Sequence, residues 1–438
     1  MEAAFANIEL GRYRKIIQTF WDPSPVNDAQ ADVPVWCLGR QYQLAEAEAE
    51  DEEQQQQRHK DEEKTEENKN GQTENIEHDT VPSTAVAENN WPPRFIHDFE
   101  SRFWMTYRSD FPPIPRTKDS PNAKNQPITL RIRQHLSDPT HLTSDAGWGC
   151  MIRSGQSLLA NATAMVRLGR DWRRGEQAST EKQIISLFAD DPAAPYSIHN
   201  FVQHGAKACG TQPGEWFGPS ATASCIHALV NGQQQGLRVY STGDGPDVYE
   251  DAFMKVAKGN DDGQFHPTLI LVGTRLGIDK ITPVYWEAVA AALQMPQSVG
   301  IAGGRPSSSH YFVGTQGSFM FYLDPHHTRP ALPYHADTAA YSADEVDSAH
   351  TSRLRRIHIR EVDPSMLVGF LIQDQTDWED WRRAVKHVQG KAIIHVADRE
   401  PLPHDLWRDD SLLDEVETMS EEEEPDGVAV AAAAPEHS

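Results

Sequence analysis

The residues from Thr143 to Gln156 place Cys150 where a turn of small residues, with Gly147 and Gly149, gives way to a helical pattern. The first backbone N–H groups of a helix have no partner inside it, and the aligned peptide dipoles favour negative charge there. Both effects stabilise a thiolate. A thiolate nucleophile needs a base, and the base needs an orienting group. The run from Phe319 to His327 offers both, because strand alternation puts Asp324 and His326 on one face and His327 on the other. A carboxylate beside the imidazole would fix its tautomer and stabilise the imidazolium. The chemistry these residues suit is acyl transfer through a thioester.

The other cysteines invite plainer readings. Cys37 sits in an apolar strand-like run and Cys225 on a helical pattern, and Cys209 has no motif around it. A zinc site built from Cys150, Asp324, His326 and His327 is chemically conceivable, but no C-x-x-C or H-E-x-x-H spacing supports it. Four cysteines in 438 residues, without a signal-peptide pattern, suit a reducing compartment.

The elements that must position these groups follow from periodicity. Residues 33–43 read as a strand with a turn. Phe95, Phe99, Phe103 and Trp104 recur at helical spacing, ending near Phe111. After Cys150, the residues Ile152, Leu158, Leu159, Ala162, Met165 and Val166 form one helical face, and Gly169 suits the stop. A second helix is expected from Pro219 to Val230. Strands are expected at 237–240, 268–273, 298–302, 310–313, 318–323, 354–359 and 367–372, with Gln316-Gly317 as a hairpin turn. A closing amphipathic helix is expected over 377–388. Helices mostly first and strands mostly later predict an α+β fold, helices on a largely antiparallel sheet. A cysteine at an early helix start and a histidine on a later strand is a papain-like layout.

Formal net charge is −25, of which residues 45–79 carry −10 and residues 409–438 carry −11. The remainder is nearly neutral, which gives no reason to expect nucleic-acid binding. Residues 45–90 are poor in large apolar side chains and predict a disordered insertion within one domain of residues 33–390. Residues 1–32 read as an N-terminal extension and 391–438 as an acidic disordered tail. The longest apolar runs are too short to span a bilayer, so the chain reads as soluble.

The stretch from Thr143 to Gln156, followed by Leu168 to Trp172, resembles the active-site signature of the autophagins, cysteine proteases of autophagy. Further blocks occur in the family's order: Val35 to Gly39, Phe103 to Arg108, Gly214 to Pro219, Gly303 to Phe312, Tyr322 to His326, and Asp363 to Phe370. The resemblance implies a papain-like fold and a triad of Cys150, His326 and Asp324. It implies that Tyr107 helps stabilise the oxyanion, and that Trp216 and the Gly303–Ser309 loop, carrying Gly304 and Pro306, clamp a narrow substrate tail. It further implies that Gln156 helps position the tail. The implied substrate is a GABARAP-like ubiquitin-like modifier, cut after its C-terminal glycine as precursor or as phosphatidylethanolamine conjugate. Membrane contact would come only through that lipidated substrate, and no metal or organic cofactor is required. A cytoplasmic location is expected, with the nucleus and the preautophagosomal structure as further sites. Phe5 to Ile8 fits the aromatic-x-x-aliphatic pattern of a second modifier contact.

Two other readings compete. A dead relative would hold the modifier without turnover, which the intact Cys150, Asp324 and His326 argue against. A transglutaminase-type acyl transferase also runs Cys, His, Asp, but normally with His and Asp well separated.

Overall fold

The computed structural model describes residues 25–29, 32–43, 90–116, 140–233, 236–259, 263–304 and 308–401. The Phe5–Ile8 motif, Pro306, the acidic tail from 402 onward and nearly all of the 45–90 insertion lie outside them. In chain order the first elements are β1 (Val35–Cys37), β2 (Arg40–Tyr42), α1 (Pro93–Glu100), β3 (Arg108–Pro115), β4 (His141–Ser144) and α2 (Cys150–Arg167). Next come α3 (Ala178–Ser186), α4 (Ile198–His204), α5 (Pro219–Gln233), β5 (Arg238–Ser241), β6 (Asp247–Tyr249), α6 (Glu250–Lys258), β7 (Thr268–Arg275) and α7 (Trp286–Gln294). The last are β8 (Ser298–Gly303), β9 (His310–Gln316), β10 (Phe319–Leu323), β11 (Arg329–Pro330), α8 (Ala343–Asp347), β12 (Arg356–His358), β13 (Ser365–Ile372), α9 (Gln375–Lys386) and β14 (His395–Ala397).

The main sheet runs β12-β10-β9-β8-β13-β7-β5, with β1 also on β9 and β2 on β1. Every neighbouring pair in it is antiparallel except β5 with β7. This is the α+β architecture expected, and its strand alternation is legible in the burial. Leu367 and Leu371 of β13 join the core that α2 shares, whereas Met366, Val368, Phe370 and Ile372 join a second core with α7 and α9. The sheet is thus covered on both faces. Among the described residues no helix is long and apolar enough to cross a membrane.

Three boundaries differ from expectation. The first helix stops at Glu100, and Phe111 to Pro113 belong to strand β3 instead. Pro112 and Pro113 fit there because the pairing of β3 with β4 slips between Ser109 and Ile114, so no ladder donor is missed. The fold also continues past 390: Ile393 and Ile394 are buried, and β14 pairs with β6. At the other end, the Trp91 indole donates to the Pro25 carbonyl at 2.8 Å and Asn27 to that of Asn90 at 3.0 Å, so residues 25–27 belong to the domain.

Candidate active site

Cys150 is the first residue of α2, and Gly149 before it makes no side-chain cap. The first turn contains no acid, so the helix's positive end stays uncompensated by its own side chains. The turn into the helix is fixed by Asp145. Its carbonyl accepts from Trp148 N at 3.1 Å and Gly149 N at 2.9 Å. Its carboxylate accepts from Arg108 N and from Arg153 Nε, each at 2.6 Å. A Cβ on Gly149 would lie 2.5 Å from the Asp145 carboxylate, so only glycine fits beside the nucleophile.

Residues 103–107 run extended along α2, held by its side chains. Asn161 accepts from Phe103 N at 3.1 Å and donates to Phe103 O at 3.0 Å; one turn earlier, the Ser157 hydroxyl accepts from Met105 N at 2.9 Å. Four helical residues rise about 6 Å and two extended residues advance about 6.6 Å, so the two rulers keep step. The next step carries Tyr107 to the Cys150 end of the helix. Tyr107 N donates to Pro325 O and Arg329 N donates to Tyr107 O, both at 2.9 Å, which ties this segment to the loop after β10.

That loop holds Asp324 and His326. They meet beyond the end of β10, not by strand alternation: Asp324 Oδ1 accepts from His326 N at 3.0 Å and pairs with His326 Nδ1 at 2.6 Å. The Trp104 indole holds the Asp324 carbonyl at 2.8 Å. His327 does not point away as expected, because the chain has left the strand; its Nε2 lies 3.9 Å from Asp324 Oδ2. His326 Nε2 and the Tyr107 hydroxyl are both buried without a conventional hydrogen-bond partner.

Burial alone would push Asp324 up, but the side-chain and backbone hydrogen bonds from His326 hold it well below the usual carboxylate range. Burial would likewise lower His326; Asp324 and Cys150 outweigh it and raise the imidazole to about 9. Burial opposes a Cys150 thiolate, yet His326, the Ser309 N–H and the Tyr107 hydroxyl bring the thiol below its ordinary value. The sulfur and the imidazole are thus each shifted toward the charged form, thiolate and imidazolium. Cys150 is 0% exposed.

The family profile described as Peptidase C54 catalytic domain matches residues 92–384. The chain belongs to the C54 family of cysteine peptidases. It is 54% identical to a protein of Gibberella zeae named cysteine protease ATG4, over 97% of this chain and 98% of that one. A probable cysteine protease atg4 of Sclerotinia sclerotiorum is 54% identical, covering 95% and 98% of the two chains. The cysteine protease ATG4 of Pyricularia oryzae is 49% identical, covering 97% and 99%. The autophagin resemblance and the papain-like α+β class therefore both hold.

The remaining expected site residues of this C54 peptidase are placed unequally. Trp216 is half-buried, with its indole N–H turned inward and without a partner. Gly214 in the same loop approaches Leu142 of β4, the strand that leads into the Asp145–Gly149 turn. Trp216 packs against the core that α2 shares. Gly303 ends β8, and Gly304 takes φ +142°, with Ser308 O only 2.4 Å from where a Cβ would be. Arg305 to Ser307 lie outside the described residues. Gln156 is fully buried, accepting from Arg153 at 3.1 Å and donating to Tyr196 O at 2.7 Å. It steadies Arg153, which also pairs with Asp190 at 2.8 Å. Ser309, which sequence reading named only as the end of a loop, contacts Ser154 and Met151 of α2 through its hydroxyl and the sulfur through its N–H.

A Tyr107→Phe variant tests the Tyr107 hydroxyl. Its loss should lower kcat on the order of 10²-fold with little change in KM, as for one oxyanion donor. Steady-state kinetics check this, and an unchanged kcat would remove Tyr107 from the site.

Proposed function

We propose that this peptidase cleaves a ubiquitin-like autophagy modifier after its C-terminal glycine, in the cytoplasm, and that the nucleus and the preautophagosomal structure are further places of action. The arrangement that carries the chemistry is Cys150 beside His326, each shifted toward its charged form, with Asp324 bonded to the far imidazole nitrogen. The relatives' names carry the autophagy setting. The Cys150 sulfur adds to the glycine carbonyl. The Tyr107 hydroxyl and backbone N–H groups at the helix start hold the oxyanion. His326 gives its Nε2 proton to the leaving amine, and the C–N bond breaks to leave a thioester. Water, deprotonated by His326, then releases the carboxylate and restores the thiolate. The leaving amine belongs either to an extension peptide or to phosphatidylethanolamine, so one site serves both maturation and release from membranes. The modifier is the partner, the lipidated form its only tie to a membrane, and nucleic acid plays no part. The protease unit includes the described residues from 25 to 401.

The test is incubation with a modifier precursor and with its phosphatidylethanolamine conjugate, followed by mass measurement. A product ending at the glycine in both supports the proposal; an intact substrate in both overturns it. The ion pair also sets a pH profile. The reactive form needs His326 protonated, so kcat/KM should fall as pH rises through about 9. On the acid side it should hold to below the ordinary thiol value, because Cys150 stays ionised there. A profile rising through pH 8 to 9 would show an unpaired thiol instead.

A further inference from the structure

Strand β9 touches both halves of the pair. Ser309, just before it, faces α2, while His310, its first residue, faces the other way. Pairing between β9 and β10 slips by one residue between Phe321 and Tyr322, after which Tyr322 faces Phe312 and Leu323 faces Tyr311. Continued by one residue, that register sets Asp324 opposite His310. The side chains agree: His310 Nε2 lies 3.9 Å from Asp324 Oδ1, and the His310 ring stands 5.4 Å from the His326 ring and 4.5 Å from that of Tyr322. At 3.9 Å His310 makes no hydrogen bond to Asp324. Oδ1 already accepts two from His326.

The geometry points to His310 as a positioning residue for the Asp324–His326 pair, its uncharged imidazole filling the space beside Oδ1 that water would otherwise enter. This rests on the assignment of Cys150, His326 and Asp324 made above. Directly opposed side chains are the nearest neighbours a sheet offers. Asp324 is 20% exposed on its side chain, so the wall beside it decides how much solvent reaches the carboxylate. Water at Oδ1 would compete with the two His326 bonds and weaken the field that keeps the imidazole protonated. A charged His310 would compete for the same oxygen. Burial prevents that: it pushes His310 down to about 4, against Asp324, with His326 and Arg355 acting in the same sense as burial and a bond to the Ser308 backbone against it. Phe312 packs at 6.1 Å from the ring and adds no charge.

The experiment is alkylation of Cys150 in the full chain by iodoacetamide, followed by mass spectrometry across pH, alongside kcat and KM on a modifier precursor. In the wild type the alkylation rate should show an upper inflection near 9. In His310→Ala it should move down by about one pH unit, a tenfold shift in the pair's equilibrium, with kcat reduced about tenfold and KM unchanged. His310→Gln, whose amide reaches the same space, should restore most of both. If His310→Ala does not fold, His310→Asn, too short to wall off Oδ1, takes its place. Loss of kcat with the inflection unmoved, or no change in either, overturns the inference. A wild type with no low-pH thiolate would overturn the triad itself, a distinct result.

Discussion

A Cys150→Ala variant releases no C-terminal extension from a modifier precursor above background, a loss on the order of 10⁶ in kcat. The size follows from the chemistry, because without the sulfur there is no thioester and His326 has no partner to activate. The fold should survive. Alanine is the best helix former, and the segment anchors of α2, Asn161 and Ser157, are untouched. The variant should therefore still hold the modifier. Mass measurement of the product and calorimetric titration of binding check the two halves. Turnover within tenfold of wild type would mean that another residue attacks the carbonyl, and failure to bind would mean that the variant is misfolded or the substrate wrong.

Asp324→Asn is the second large effect, about 10⁴ in kcat by the logic of a triad whose orienting acid loses its charge. The amide oxygen can still accept from His326 N and Nδ1, so the local backbone is preserved. What is lost is the negative charge that, with Cys150, raises His326 to about 9. The imidazole then falls toward its ordinary value, and near neutral pH the pair reverts to thiol and neutral imidazole. The alkaline limb of kcat/KM should move down by at least one unit, which a simple folding defect would not do. Near-normal kcat would reject Asp324 as the orienting acid.

Much of this site was legible from the chain. Cys150 could be placed because a glycine turn before a helical pattern is a local signal, and Gly169, with φ +89°, stops α2 as its position implied. The two strands around Gln316-Gly317 and the Asp324–His326 spacing were local too. What was hidden depends on distant partners. The segment 103–107 reads as a continued helix because its aromatic spacing is helical. It is pulled straight because Asn161 and Ser157 supply the hydrogen bonds that a helix would have made. Gln156 reads as a site residue from its place in the motif, while its bond to Tyr196 O, 40 residues on, depends on a distant segment. The slip in β10 has no sequence marker. Without it Asp324 would face Tyr311, and His310 would be one more strand histidine.

The sealed sulfur bears on inhibitor design. With Cys150 at 0% exposure, and with Ser309, Tyr107 and His326 around it, a broad electrophile has no approach from bulk water. On the cleavage after glycine proposed above, a thin backbone-like probe ending in a small warhead, with nothing larger than hydrogen on its last α-carbon, is the shape expected to reach it. Selectivity over open-groove thiol peptidases would then come from slimness at the tip rather than from side-chain recognition.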